Sequence, residues 1–344
     1  MTKLIRIGID TSKSVFQVHG VDATEQPVLR TKLRRRQMVP FFAKVARTRI
    51  GIEACGAAHY WARELTALGH EVMLLPPQYV KPYVKRGKND AADAAAICEA
   101  MSRPGMRFVP VKTAERQAAQ MLAGTRDRLV RRRTQLTNTI RGYAAEFGLV
   151  AAKGLDKIEP LLARIAAKAE LPALARELFA VYAEEYAHLA AELAKIEARL
   201  MAWHRQDALS RRLAQIPSIG PIGATLLAIK VTDPQAFRCG RNFAAWLGLT
   251  PKDHSTAGKT TLGGITRAGD ETLRSLMVVG ATAVIQQAQR GRGRPSPWLT
   301  SLLRRKPPKL AAVALANKTA RIAWKLMVSG QPYEPSRKAM AAQA

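Results

Sequence analysis

Cysteine is nearly absent: Cys55, Cys98 and Cys239 are odd in number and far apart in 344 residues, which excludes a disulfide framework and a cysteine zinc site. They read as reduced packing residues. Acidic side chains are scarce too, with 26 Asp+Glu against 55 Lys+Arg, a formal charge of +29. Such a chain repels itself until a polyanion neutralises it, so nucleic acid is the first partner implied. Membrane is the rival polyanion, but no apolar run approaches bilayer-spanning length, and the opening "MTKLIRIGID" passes straight into a strand-like pattern. A cytoplasmic, nucleoid-associated protein is expected. No phosphate-binding P-loop occurs, so nothing points to ATP-driven chemistry. What the chain does have is apolar content for real cores and enough length for two or three domains.

The pattern changes twice along the chain. "LIRIGID", "VFQVHGVD" and "PVLRTKL" alternate as three strands of an antiparallel meander, followed by a helix at "MVPFFAKVA" and a buried strand at "RIGIEACG". "HYWARELTALG" is an amphipathic helix and "HEVMLLPP" a strand stopped by two prolines. The order β-β-β-α-β-α-β, then an Ala-rich helix, indicates a mixed α/β sheet domain over residues 1–112. Residues 113–205 show long Ala/Leu/Glu/Arg stretches with apolar residues at helical spacing, a helical, coiled-coil-like insert. Residues 206–300 form a third, mainly helical region and residues 301–344 a basic linker plus a final helix. From Gln206 onward 21 Lys/Arg stand against six Asp/Glu, so this part is expected to carry much of the polyanion contact.

Four acids occupy telling positions. Asp10 ends the first strand and Glu53 ends "RIGIE", while "KNDAADAAAICEA" opens a helix with Asp90 and Asp93 on one face. Taken singly they are strand-end residues or helix caps. In a ribonuclease H-like sheet the first and fourth strands are neighbours and a later helix crosses above their ends, so the four would converge. Carboxylates that close repel unless divalent cations sit among them, and hard oxygen donors without His or Cys point to Mg2+ or Mn2+. Two such ions can clamp both oxygens of a phosphodiester displacement.

Farther on, "IPSIGPIGATLLAI" places Gly220 and Gly223 at a turn into a helix, where exposed N–H groups suit a phosphate. This reads as a helix-hairpin-helix, or as a plain αα-corner. "PKDHSTAGKTTLGGITRAGD" reads as a Gly/Thr-rich loop between helices. Trp61 and Trp246 have apolar neighbours and read as core.

"GIDTSK", "GIEACGAAHYW" and "KNDAADAAAICEA", together with "IPSIGPIGATLLAI", "FAAWLGLTP" and "LGGITRAGD", resemble in this order the Asp-Glu-Asp-Asp transposases of the insertion sequence 110 family, with its 1111 subgroup most similar. The resemblance covers nearly the whole chain. It implies a junction-resolvase-like N-terminal domain, a coiled-coil insert and a C-terminal transposase domain that supplies a nucleophilic serine. It also implies RNA guidance, in which a structured RNA encoded by the element pairs with donor and target DNA. Ser255 in "PKDHSTAGK" is the serine carried over, with Gly258 giving room and Lys259 and Arg267 beside the phosphate. Thr256 and Ala257 depart from the usual Ser-Gly or Gly-Gly, so Thr256 is a rival nucleophile, and a Ser/Thr turn without chemistry is the plain alternative. His254 adjoins the serine, but a loop neighbour usually points elsewhere.

The reading is a metal-dependent transposase or recombinase acting through a serine-linked intermediate, as a dimer or tetramer with RNA bound. Alternatives are a hydrolytic junction resolvase or nuclease using the same acids, and a non-enzymatic basic RNA-binding scaffold.

Overall fold

A computed structural model of the chain describes residues 4–84, 90–256, 258–293 and 295–334. The chain divides into two compact units, Met1–Gln117 and Ala118–Ala344.

In the first unit the alternation of the opening sequence becomes β1 (Leu4–Asp10), β2 (Val15–Asp22) and β3 (Pro27–Arg34), an antiparallel meander. A short helix α1 (Met38–Phe42) leads to β4 (Arg49–Glu53), which pairs with β1 in parallel. Helix α2 (Ala58–Ala67) then crosses to β5 (Glu71–Leu75), parallel to β4. The sheet order is β3-β2-β1-β4-β5. One-turn α3 (Pro77–Val80) and α4 (Asp90–Ala100) complete the unit.

The two faces of this sheet differ because strand side chains alternate. Ile7, Ile9, Ile50 and Ile52 are fully buried on one face with Phe16, Trp61 and Leu65, which sets α2 against that side. On the other face the same strands carry Gly8 and Gly51. A Cβ on Gly8 would lie 2.2 Å from the carbonyl oxygen of Ala94 and 2.5 Å from the amide of Cys98. Helix α4 therefore rests directly on the backbone of β1, a seat that only glycine permits. Its direction is fixed by Arg6, whose Nε donates to the Cys98 carbonyl at 2.9 Å while its guanidinium also pairs with Glu25. With Cys98 at Arg6 and Ala94 at Gly8, α4 runs antiparallel to β1 and its N-terminal turn reaches the Asp10 end.

Among its described residues the second unit is helical apart from one hairpin. Helices α5 (Ala114–Glu146), α6 (Ile158–Ala166) and α7 (Ala173–Gln206) share a core that includes Leu136, Ile140, Leu161, Ile165, Phe179 and Leu189. The pairs Arg126–Glu197 at 2.7 Å and Arg132–Glu185 at 3.1 Å make α5 and α7 antiparallel. After them come α8 (Ala208–Leu213), α9 (Pro221–Lys230) and α10 (Gly240–Trp246). Strands β6 (Pro251–Asp253) and β7 (Leu262–Ile265) are followed by α11 (Glu271–Gln289), α12 (Pro297–Arg305) and α13 (Pro308–Ser329). A second core forms among α8 to α13 around Leu213, Phe243, Leu247, Ala281 and Ala316.

Three expectations need correction. The Gly/Thr-rich loop is an antiparallel β-hairpin of β6 and β7. The basic linker contains α12, because Trp298, Leu299, Leu302 and Leu303 recur at helical spacing behind the N-cap Ser296, and Leu299 is buried. The turn before α9 is not made by its glycines. Gly220 has an ordinary φ of −77° and Gly223 lies inside the helix, while Ser218 takes the left-handed conformation at φ 80°. What demands a small residue there is Gly280 on α11, where a Cβ would fall 1.8 Å from the Ser218 carbonyl oxygen. No described helix is long and apolar enough to cross a membrane.

Candidate active site

Asp10 and Glu53 come together through strand register. Ile9 pairs with Ile52 across the parallel β1–β4 ladder, so the next residues, Asp10 and Glu53, end adjacent strands spaced about 4.8 Å apart. Both lie on the α4 face, two residues beyond Gly8 and Gly51. The loops that follow are tied as well: Thr11 Oγ1 and Cys55 Sγ are 3.3 Å apart, and Ala54 N donates to the Leu75 carbonyl at 2.8 Å. Asp93, one residue before the helix position seated on Gly8, is brought to the same end.

The electrostatics agree with that placement. Burial, and secondly the negative charge of Asp93, hold the Glu53 carboxyl above the ordinary glutamate value. A half-buried glutamate raised by burial and a neighbouring negative charge is relieved by a cation, and oxygen donors suit a hard one. Among the described residues, however, no three His, Cys, Asp or Glu side chains are gathered into a metal-holding group. The Asp90 side chain, the fourth expected donor, lies outside the described residues, although its backbone opens α4.

In the second unit the hairpin carries Ser255 at its exposed tip. Thr256 and Lys259 exchange both backbone hydrogen bonds, at 3.2 and 2.9 Å, which closes the tip, and Gly258 takes φ 80° with open space around it. Ala257 lies outside the described residues. The Ser255 hydroxyl donates to Asp253 Oδ1, which also accepts from the Ser255 amide at 2.9 Å, and the Thr261 amide donates back to Ser255 Oγ at 3.1 Å. These bonds, the hydroxyl's first, hold the Asp253 carboxyl below its ordinary value, so it stays an acceptor at neutral pH. Asp253 was not singled out from the sequence. The signal was present in the Asp-x-Ser spacing, which lets a carboxylate bond a residue two positions on. The His254 ring instead lies against Gly263, 3.3 Å from where a Cβ would be, on β7.

The base of the hairpin is clasped. Thr266 N donates to the Thr250 carbonyl at 2.9 Å and Arg267 N to that of Gly248 at 3.2 Å. Gly269, at φ 69°, packs so closely that a Cβ would meet the Trp246 carbonyl oxygen at 1.9 Å. Behind it Lys230 Nζ bridges Asp127 at 3.1 Å and Asp270 at 3.0 Å, joining α5, α9 and the N-cap of α11. Lys259 and Arg267 are exposed, Lys259 at the tip and Arg267 at the clasp, where it adopts φ 57°. Trp61 is core, whereas Trp246 is more than a third exposed and stacks on Phe243.

Two family models match the chain, one described as a transposase with an IS110-type DEDD domain over residues 7–147 and one described as "Transposase IS116/IS110/IS902 family" over residues 210–294. The chain is 64% identical to the "Putative transposase y4pF/y4sB" of Sinorhizobium fredii over 96% of its own length and 86% of that protein. The chain belongs to the IS110 family of transposases. The transposase is also 49% identical to the "Probable family 20 transposase" of Pseudomonas aeruginosa over 96% of this chain and 99% of that one. It shares 37% identity with the "Transposase for insertion sequence element IS1111A" of Coxiella burnetii, over 95% of this chain and 90% of that one. It is thus a DNA transposase of an insertion sequence, and the matched segments contain both the acid end of the sheet and the serine hairpin.

Proposed function

We propose that the transposase cuts and rejoins DNA with two sets of groups, the carboxylates Asp10, Glu53, Asp90 and Asp93 and the hydroxyl of Ser255. The observation that carries this reading is the register pairing that sets Asp10 beside Glu53 on the face where α4 delivers Asp93. The sheet order β3-β2-β1-β4-β5, with its first three strands antiparallel and the rest parallel, supports a ribonuclease H-like domain. The four acids would hold Mg2+ or Mn2+, which supplies Lewis-acid stabilisation of phosphate charge.

Ser255 Oγ attacks the scissile phosphorus, its proton passing to the Asp253 carboxylate that it already bonds, and the phosphorus–oxygen bond to the leaving strand breaks. The leaving oxygen takes up a proton and the phosphoserine bond conserves the energy needed for rejoining. Reversal with a new strand hydroxyl as nucleophile completes exchange without ATP. Thr256 is the rival nucleophile, one residue on, but its backbone closes the tip, whereas the Ser255 hydroxyl bonds Asp253. Lys259 and Arg267 would neutralise phosphates near the serine, and the α9 N-terminus at Gly220 and Gly223 would accept another. We further propose a helix-hairpin-helix role for α8–α9, a dimer or tetramer, and an element-encoded structured RNA that pairs with donor and target DNA. The large positive charge supports a protein that holds both nucleic acids.

The test is a denaturant-resistant adduct between the protein and a cleaved strand, formed with Mg2+ or Mn2+. The adduct is expected from the native chain and lost in Ser255→Ala. Cleaved ends that carry no protein would favour a hydrolytic nuclease using the same acids.

A further inference from the structure

The open edge of the first sheet carries a row of cations that the reading above leaves unused. Strand β3 is the outermost strand on its side, and Arg30, Lys32 and Arg34 are all exposed on it. Their cross-strand partners are His19, Gln17 and Val15, and His19 and Gln17 in turn pair with Gly8 and Asp10. The three cations therefore share the face that bears α4 and the acids, while Leu29 and Leu33 turn to the opposite core. Lys32 is in line with Asp10, two strand spacings or about 10 Å away. Along β3 the charges repeat every second residue, about 6.8 Å, of the same order as successive phosphates on an extended strand.

Ordinary explanations account for only part of this. Charged side chains on an edge strand discourage sheet-to-sheet pairing. A merely solvated surface mixes both signs, however, whereas this row is wholly cationic. Among the described residues no salt bridge neutralises any of the three.

We propose that Arg30, Lys32 and Arg34 form a track for the backbone phosphates of the DNA strand being cut, leading it to the Asp10–Glu53 end of the sheet. The assignment rests on reading that end as the cutting site, but its test does not depend on cutting. Each phosphate contact contributes about 0.7 to 0.9 to the slope of log affinity against log salt.

The full chain and an Arg30→Gln/Lys32→Gln/Arg34→Gln variant are titrated with single-stranded and duplex DNA, and with a structured RNA, in chelator at several salt concentrations. Glu53→Gln is the reference that keeps the track. The triple variant is expected to lose roughly 2 to 3 from the DNA slope. Lys32→Gln alone is expected to lose about 0.7 to 0.9, and Arg30→Lys/Arg34→Lys to keep the slope. An unchanged DNA slope overturns the track, as does a reduction confined to RNA. Self-association of the triple variant with an intact slope also overturns it, in favour of edge protection. Because Glu53→Gln binds through the same track, loss of its cutting without loss of slope separates the two readings.

Discussion

The acid end of the first unit and the serine hairpin of the second are built by opposite means. Asp10, Glu53 and Asp93 are placed by long-range pairing: a parallel ladder, a helix seated on a glycine, and an arginine that ties strand to helix. Ser255 is placed by residues within six positions of itself, on a tip exposed to solvent, with only the base of the hairpin clasped by distant groups. Like charges need a rigid frame to be held together, because repulsion would otherwise spread them. A hydroxyl proposed to meet a large duplex needs access, and a short hairpin with a local carboxylate gives it both freedom and orientation.

Gly8→Ala should have the largest effect on this contrast. Its new Cβ would strike the backbone of α4 and not a flexible side chain, so a loss of about 3 kcal/mol is expected, read as a fall in Tm. Gly258→Ala, in open space at the hairpin tip, should cost no more than roughly 1 kcal/mol from its positive φ. Equal losses at the two sites would erase the distinction between frame and arm.

Asp253→Asn addresses the arm directly. It leaves the fold within about 0.5 kcal/mol of the parent but should slow adduct formation roughly hundredfold, since the amide oxygen can still accept the serine's hydrogen bond but cannot take up its proton. Unchanged adduct kinetics would mean that the Ser255–Asp253 bond is only a turn.

The smallest effect should come from Glu53→Gln on stability. Its folded pKa lies above the unfolded value of 4.5, so between those values the folded state binds more protons and stability falls as pH rises. The variant should therefore melt slightly higher than the parent at pH 7, the gap closing as the pH drops below 4.5. Added Mg2+ should raise the melting temperature of the parent and not of the variant. A lower Tm for Glu53→Gln at neutral pH would show that the carboxylate is already compensated by the protein.

Periodicity made the strands and helices of the first unit legible, because alternation in "LIRIGID" and "RIGIE" states which side is buried. It also placed an acid at each strand end. The hairpin was missed because β6 and β7 are three and four residues long and exposed, too short and too polar to alternate visibly. Helix α12 was missed because the prolines around it and its terminal arginines masked a short apolar stripe.

By itself the sequence determined the charge, the strand and helix order of the first unit, the acids at the strand ends and the family, since each follows from local spacing or from motifs in order. Only the tertiary structure decided that β1 and β4 are neighbours, that α4 runs antiparallel on Gly8, that Glu53 feels Asp93, and that Ser255 bonds Asp253 while His254 turns away. The physical reason is that burial, repulsion and hydrogen bonding depend on distances between atoms, and folding sets those distances by packing the whole chain at once.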